Sequence, residues 1–176
     1  KSKLYLEISQ LAITDPLTGF YNRRGLEELG KHEIERSIRF SRNLSALMID
    51  LDYFKQINDH HGHMIGDQIL EQIAVCIRHN LRDADILCRF GGEEFFILLP
   101  EADVIEASGI AERLRNAIAN TLFHTSSGPI NATISIGICK LSKEIDNLNE
   151  MIRFADRALY LAKESGRNCV KYLPAN

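Results

Sequence analysis

Apolar residues along this chain follow two patterns, a recurrence every third or fourth position and short, nearly unbroken runs, and their succession predicts the order of elements. Leu4, Ile8 and Leu11 stand at helical spacing among charges, and Pro16 and Gly19 in "TDPLTG" end that pattern. Leu26, Leu29, Ile34 and Ile38 draw an apolar stripe through a second helix over 22–42. Leu44, Ala46, Leu47, Met48 and Ile49 then form a run that reads as a buried strand delivering Asp50 and Asp52 at its carboxyl end. Residues 55–67 read as a polar loop, and Ile69, Leu70, Ile73, Ala74 and Ile77 restore helical periodicity over 68–82. Strand candidates at 85–90 and 94–100 are separated only by Gly91, Gly92 and Glu93, the spacing and chemistry of a hairpin. A helix over 102–120, a strand over 130–140, a helix over 146–166 closed by Gly166 and a short strand over 168–173 complete the chain.

This order contains a β-α-β-β-α-β unit with additions, which predicts an α/β (α+β) fold of ferredoxin-like type, an antiparallel-rich central sheet surrounded by helices. A doubly wound parallel sheet fits less well, because the tight hairpin interrupts the alternation. Residues 1–14 read as the end of a connecting or signalling helix and residues 15–176 as one domain. The start at Lys1 instead of methionine suggests a piece of a longer polypeptide.

Composition changes this picture little. With 176 residues, 45% hydrophobic and 26% charged, the chain suits one soluble globular domain, and a net charge of -3 gives no global reason to expect a nucleic-acid polymer as partner. No stretch reaches about 18 uninterrupted apolar residues, so a cytoplasmic domain is expected, with a membrane anchor left open for the full-length protein. Cys76, Cys88, Cys139 and Cys169 lack any CxxC spacing and read as reduced core residues.

Asp50 and Glu93 are expected at neighbouring strand ends, where two hard oxygen donors would suit magnesium with bound phosphates; solvated acids at loop entrances are the plainer alternative. Only one of Asp50 and Asp52 is expected to face the hairpin. Lys55, Asn58, Asp59, His63 and Asp67 alternate with Gly62 and Gly66 ahead of a helix, a setting for anions and for a base edge, unless Asp67 is simply the helix cap. Lys163 and Arg167, four apart at a helix end, reach one phosphate or complement the helix dipole. Jointly these residues describe a nucleoside triphosphate site.

The blocks "DPLTGFYNRR", "IDLDYFKQINDHHGHMIGDQIL", "RFGGEEF", "TISIGI" and "ADRALYLAKESGRN" resemble, in order and spacing, the GGDEF-domain diguanylate cyclases, with Glu93 at the signature's variable third position. The resemblance implies condensation of two GTP into cyclic di-GMP and two pyrophosphates by a homodimer, with two magnesium ions per GTP, or manganese in their place. It implies Asp50, the Leu51 carbonyl and Glu93 as metal ligands, Glu94 close to the metals, and Glu93 as proton acceptor. It also implies Asn58 and Asp67 as guanine readers, His63 as a substrate contact, Gly91 and Gly92 as the close approach to the nucleotide, and Lys55, Lys163 and Arg167 as phosphate contacts. Arg82 and Asp85 form an RxxD that resembles the family's inhibitory product site, with Arg113 or Arg115 assisting. The opening helix then connects to an upstream regulatory domain. A non-catalytic module that binds GTP or cyclic di-GMP is the alternative, and the presence of Asp50, Glu93 and Glu94 argues for the enzyme.

Overall fold

In chain order the elements are α1 (Ser2–Ile13), α2 (Arg23–Arg39), β1 (Leu44–Leu51), α3 (Phe54–His61), α4 (His63–His79), β2 (Ile86–Arg89), β3 (Glu94–Pro100), α5 (Val104–Ala119), β4 (Phe123–Thr125), β5 (Gly128–Ile130), β6 (Ile134–Lys140), α6 (Leu148–Glu164) and β7 (Val170–Tyr172). They come from a computed structural model that describes residues 2–175, apart from the side chains of residues 9–11, so the stripe position Leu11 lies outside the described residues.

The unbroken apolar run of β1 is explained by its place: it is buried along its whole length at the centre of a sheet of order β2-β3-β1-β6-β7. β1 runs antiparallel to both β3 and β6, β2 is antiparallel to β3, and β7 pairs in parallel with β6. This is the expected ferredoxin-like unit with one strand added at its edge. Period-two alternation divides the core into two layers. Leu47, Ile49 and Leu51 join Phe95, Ile97, Leu99, Ile134 and Ile136 under the α4 and α5 side chains Ile69, Ile73 and Leu114. Leu44, Ala46 and Met48 join Phe96, Leu98 and Cys139 under Leu26 and Ile34 of α2 and Met151, Ala155 and Leu159 of α6. Residues 50 and 94 continue this second layer to the carboxyl end of β1, where apolar side chains give way to acids.

Two stretches depart from expectation. The supposed loop over 55–67 is helical, as α3 and the first turn of α4, hinged at Gly62, whose φ of 89° ends one helix and opens the next. Its polar composition hid a short amphipathic repeat, in which Phe54, Ile57, Ile65 and Ile69 all face the core. The expected strand over 130–140 is split: β6 begins at Ile134, and Ile130 belongs instead to a small β4–β5 hairpin turned by Ser126 and Ser127. Strands of three residues are too short to show alternation.

Candidate active site

The register of β1 with β3 places Asp50 opposite Glu94, and the Leu51 amide donates to the Glu93 carbonyl at 3.3 Å, so the strand end and the hairpin tip are tied. The hairpin closes through the amides of Phe90 and Gly91, both donating to the Glu94 carbonyl (2.8 and 3.2 Å). Neither Gly91 nor Gly92 has a positive φ. At Gly91 a Cβ would fall 2.5 Å from the Glu94 carboxylate, a contact that a shift of that side chain relieves, whereas Gly92 is exposed with nothing near.

Two arginines hold this turn from outside. Arg89 donates twice to the Gly92 carbonyl (Nε 3.1 Å, Nη2 2.8 Å) and pairs through Nη1 with Asp15 at 3.1 Å. Arg23 donates to the Phe90 carbonyl at 2.7 Å and stacks over the Phe90 ring. Sequence reasoning passed over both, and Asp15 with them. All three lie inside quoted blocks, but no spacing rule pairs residue 15 with residue 89 before the topology is known.

Asp50, Leu51, Lys55, Glu93, Lys163 and Arg167 line one cleft of about 280 Å³. Lys163 Nζ stands 2.7 Å from Asp50 Oδ2. The Asp50 carboxyl is raised to about 6, by burial first and by the charges of Glu93 and Glu94, against the Lys163 hydrogen bond and charge, which pull it down. The Glu94 carboxyl is also raised, by burial first and then by Asp156 and Glu93, against Lys163 and Arg23. Both acids are thus held above the usual carboxylate range chiefly by burial. Among the described residues no group of three or more His, Cys, Asp or Glu side chains is placed to hold a metal ion alone. Hard oxygens from Asp50, Glu93 and a backbone carbonyl suit a cation that completes its shell from phosphates and water.

Asp50 and Asp52 part as expected, though alternation alone would leave positions 50 and 52 on one face. β1 ends at Leu51, and Tyr53 turns the chain with a φ of 55°. Asp52 is then drawn away from the hairpin, accepting from Thr133 and Ser135 on the β6 side.

Asn58 follows Lys55 by one turn of α3, and its Oδ1 is buried without a hydrogen-bond partner. It lies against α4 where Gly66 leaves room, for a Cβ there would fall 2.0 Å from that oxygen. His63 and Asp67 are exposed on the first two turns of α4. Asp67 is not the cap of this helix: Gly62 holds that position, with no side-chain cap.

Arg82 and Asp85 lie elsewhere, on a cavity of about 460 Å³ that Arg113 also lines. Asp85 is buried and accepts from the Arg82 amide at 2.8 Å and from its guanidinium at 3.3 Å, while Arg82 also donates to the Pro100 carbonyl at 2.9 Å. Of the two later arginines, Arg113 stands at this cavity, donating to the Asn80 carbonyl at 2.6 Å, and Arg115 reaches Asn168 near the first cleft instead.

A family model described as "Diguanylate cyclase, GGDEF domain" matches residues 12–169. "Diguanylate cyclase DgcP" of Pseudomonas aeruginosa is 44% identical over 160 residues, which is 90% of this chain and 24% of that protein. "Response regulator PleD" of Caulobacter vibrioides is 40% identical over 163 residues, 92% of this chain and 36% of that protein. The chain thus spans about a third or less of the length of these relatives. A solved "active GGEEF domain of a diguanylate cyclase from Vibrio cholerae" superposes with a TM-score of 0.82 at 32% identity, over 88% of this chain and 98% of that one.

Proposed function

The chain belongs to the diguanylate cyclase, GGDEF-domain family, and on that premise we propose that it condenses two GTP molecules into cyclic di-GMP and two pyrophosphates. The observation that carries this reading is the cleft in which the Asp50 and Glu93 carboxylates meet Lys55, Lys163 and Arg167. Acids and cations lining one cleft suit a nucleoside triphosphate and its metal.

Asp50, the Leu51 carbonyl and Glu93 are the proposed ligands of magnesium, with Glu94 beside them. Once bound, such a cation neutralises charge on the phosphates and helps ionise the attacking hydroxyl. In each half-reaction the 3′-oxygen of one GTP bonds to the α-phosphorus of the other, the bond to the pyrophosphate oxygen breaks, and the hydroxyl proton passes to the Glu93 carboxylate. Lys163 is placed to exchange Asp50 for a phosphate oxygen without leaving the cleft. Lys55 and Arg167 hold the remaining phosphate charge, His63 is a further substrate contact, and the Gly91–Gly92 turn lets the nucleotide approach the backbone.

The orphaned Asn58 oxygen supports guanine as the base, because guanine offers donors at N1 and N2 where adenine lacks that pair. Asp67 supplies the second acceptor. Asp67→Ala is expected to weaken the preference for GTP over ATP about tenfold in competitive binding; an unaltered preference would mean that the base is read elsewhere.

Each domain holds one GTP, so turnover requires two copies facing each other. Incubation with GTP and magnesium over a range of protein concentrations, with the product identified by mass, tests the reading. A steep concentration dependence is expected, and no cyclic di-GMP at any concentration would favour a binding module. The exposed Leu4, Tyr5, Leu6 and Ile8 of α1 support a connecting helix that places the two copies under an upstream regulatory domain.

Arg82, with Asp85 bracing it and Arg113 nearby, is the proposed inhibitory product site. Arg82→Ala is expected to raise the cyclic di-GMP concentration needed for half inhibition about tenfold. Unchanged inhibition would reduce the motif to the salt bridge seen in the free protein.

A further inference from the structure

The α6–β7 turn holds two consecutive residues in the left-handed region, Arg167 (φ 64°) and Asn168 (φ 45°), and neither is glycine. Such a pair is unfavourable unless its surroundings fix it. The surroundings here centre on Asp52. Its carboxylate is buried and takes three hydrogen bonds, from Ser135 Oγ at 2.6 Å, Thr133 Oγ1 at 2.7 Å and the Asn168 amide at 3.0 Å. Arg115 grips the other side of the same residue, donating to Asn168 Oδ1 at 3.0 Å. With Asn168 anchored from both sides, the Arg167 guanidinium lies 4.9 Å from the centre of the Tyr53 ring, at the edge of the phosphate cleft. Tyr53 is itself left-handed and adjoins Asp52. Three left-handed residues thus lie next to one buried aspartate in the wall of the same cleft, and both of its carboxylate oxygens are already taken by protein donors.

We propose that Asp52 is a positioning residue for the triphosphate: by anchoring the Arg167–Asn168 turn it holds the Arg167 guanidinium against Tyr53 at the cleft, touching neither nucleotide nor metal itself. The proposal rests on the reading of that cleft as the phosphate site. Asp52→Asn keeps the shape but loses the negative charge that strengthens all three hydrogen bonds, and its amide turns one acceptor into a donor; the serine and threonine hydroxyls can reorient to accept, whereas the Asn168 amide can only donate. The turn then loosens, and Arg167 spends less time where a phosphate needs it.

The test has two arms. Hydrogen exchange on the nucleotide-free protein reads the anchor alone: the Asn168 amide should exchange at least about tenfold faster in Asp52→Asn, and an unchanged rate would overturn the proposal. Steady-state kinetics reads the consequence. Asp52→Asn should raise the KM for GTP about tenfold with kcat within about threefold, and adding Arg167→Ala should cost little more, because both changes disable one contact. Multiplying effects, or a fall in kcat at constant KM, would overturn it. If Arg167→Ala alone leaves KM unchanged, the phosphate reading fails, while the exchange arm still decides the anchor. Should Asp52→Asn not fold, Arg115→Ala loosens the same turn from its solvent side. A rise in KM of about threefold is then expected, and an unchanged KM counts against the proposal.

Discussion

Glu93→Gln is expected to lower cyclic di-GMP formation by about a thousandfold or more, with the fold and GTP binding largely kept. The substitution is nearly isosteric at a half-buried side chain, so packing changes little. What is lost is a negative charge at the cleft and an acceptor for the 3′-hydroxyl proton, since a carboxamide oxygen is far too weak a base. Metal affinity falls with it. The Glu93 charge is one of those pushing the Asp50 carboxyl up, so its removal lets Asp50 ionise more readily and partly masks the loss of cation binding. A residual rate set by binding and orientation alone should therefore remain measurable. Product quantified by mass, beside GTP binding by calorimetry, checks this, and turnover within tenfold of the parent would remove Glu93 from the chemistry. Glu94→Gln makes the comparison, because Glu94 is held against Gly91 and influenced by Asp156 and Arg23, a bracing position with a smaller expected loss.

What could be read from the sequence follows physical rules. The core of β1 was legible because burial on both faces leaves an unbroken apolar run, and Asp50 was legible because an acid directly after such a run must sit at a strand end. The hairpin was legible in two glycines. The segment 54–61 was not, because Lys55, Gln56, Asp59, His60 and His61 carry it on the outside and only Phe54 and Ile57 mark its apolar inner face. Misreading it shifted the start of α4 and left a helix cap open as an explanation of Asp67. Groups that act across the fold were the least visible. The Asp15–Arg89 pair spans 74 residues and the Asp52–Asn168 contact spans 116, so each becomes readable only when the strand order is known.

Gly137→Ala is expected to destabilise the domain by about 3 kcal/mol or more, a drop of roughly 6–12 °C in midpoint for a chain this long. Gly137 lies on β6 opposite Met48, and a Cβ there would fall 2.2 Å from both the Ala155 carbonyl oxygen and the Leu159 amide nitrogen of α6. Both are backbone atoms, so no rotamer relieves the overlap and the helix itself must move off the sheet. The helix that moves carries Lys163, so the 2.7 Å contact with Asp50 should lengthen along with the loss of stability. Gly109 supplies the contrast: it is exposed within α5, a Cβ there would meet nothing within 4 Å, and Gly109→Ala should stabilise by about 0.5–1 kcal/mol through helix propensity. Urea and thermal unfolding of the two variants measure the difference. Equal midpoints for Gly137→Ala and the parent would mean that α6 tolerates displacement, and that its close seat on β6 does not determine where Lys163 stands.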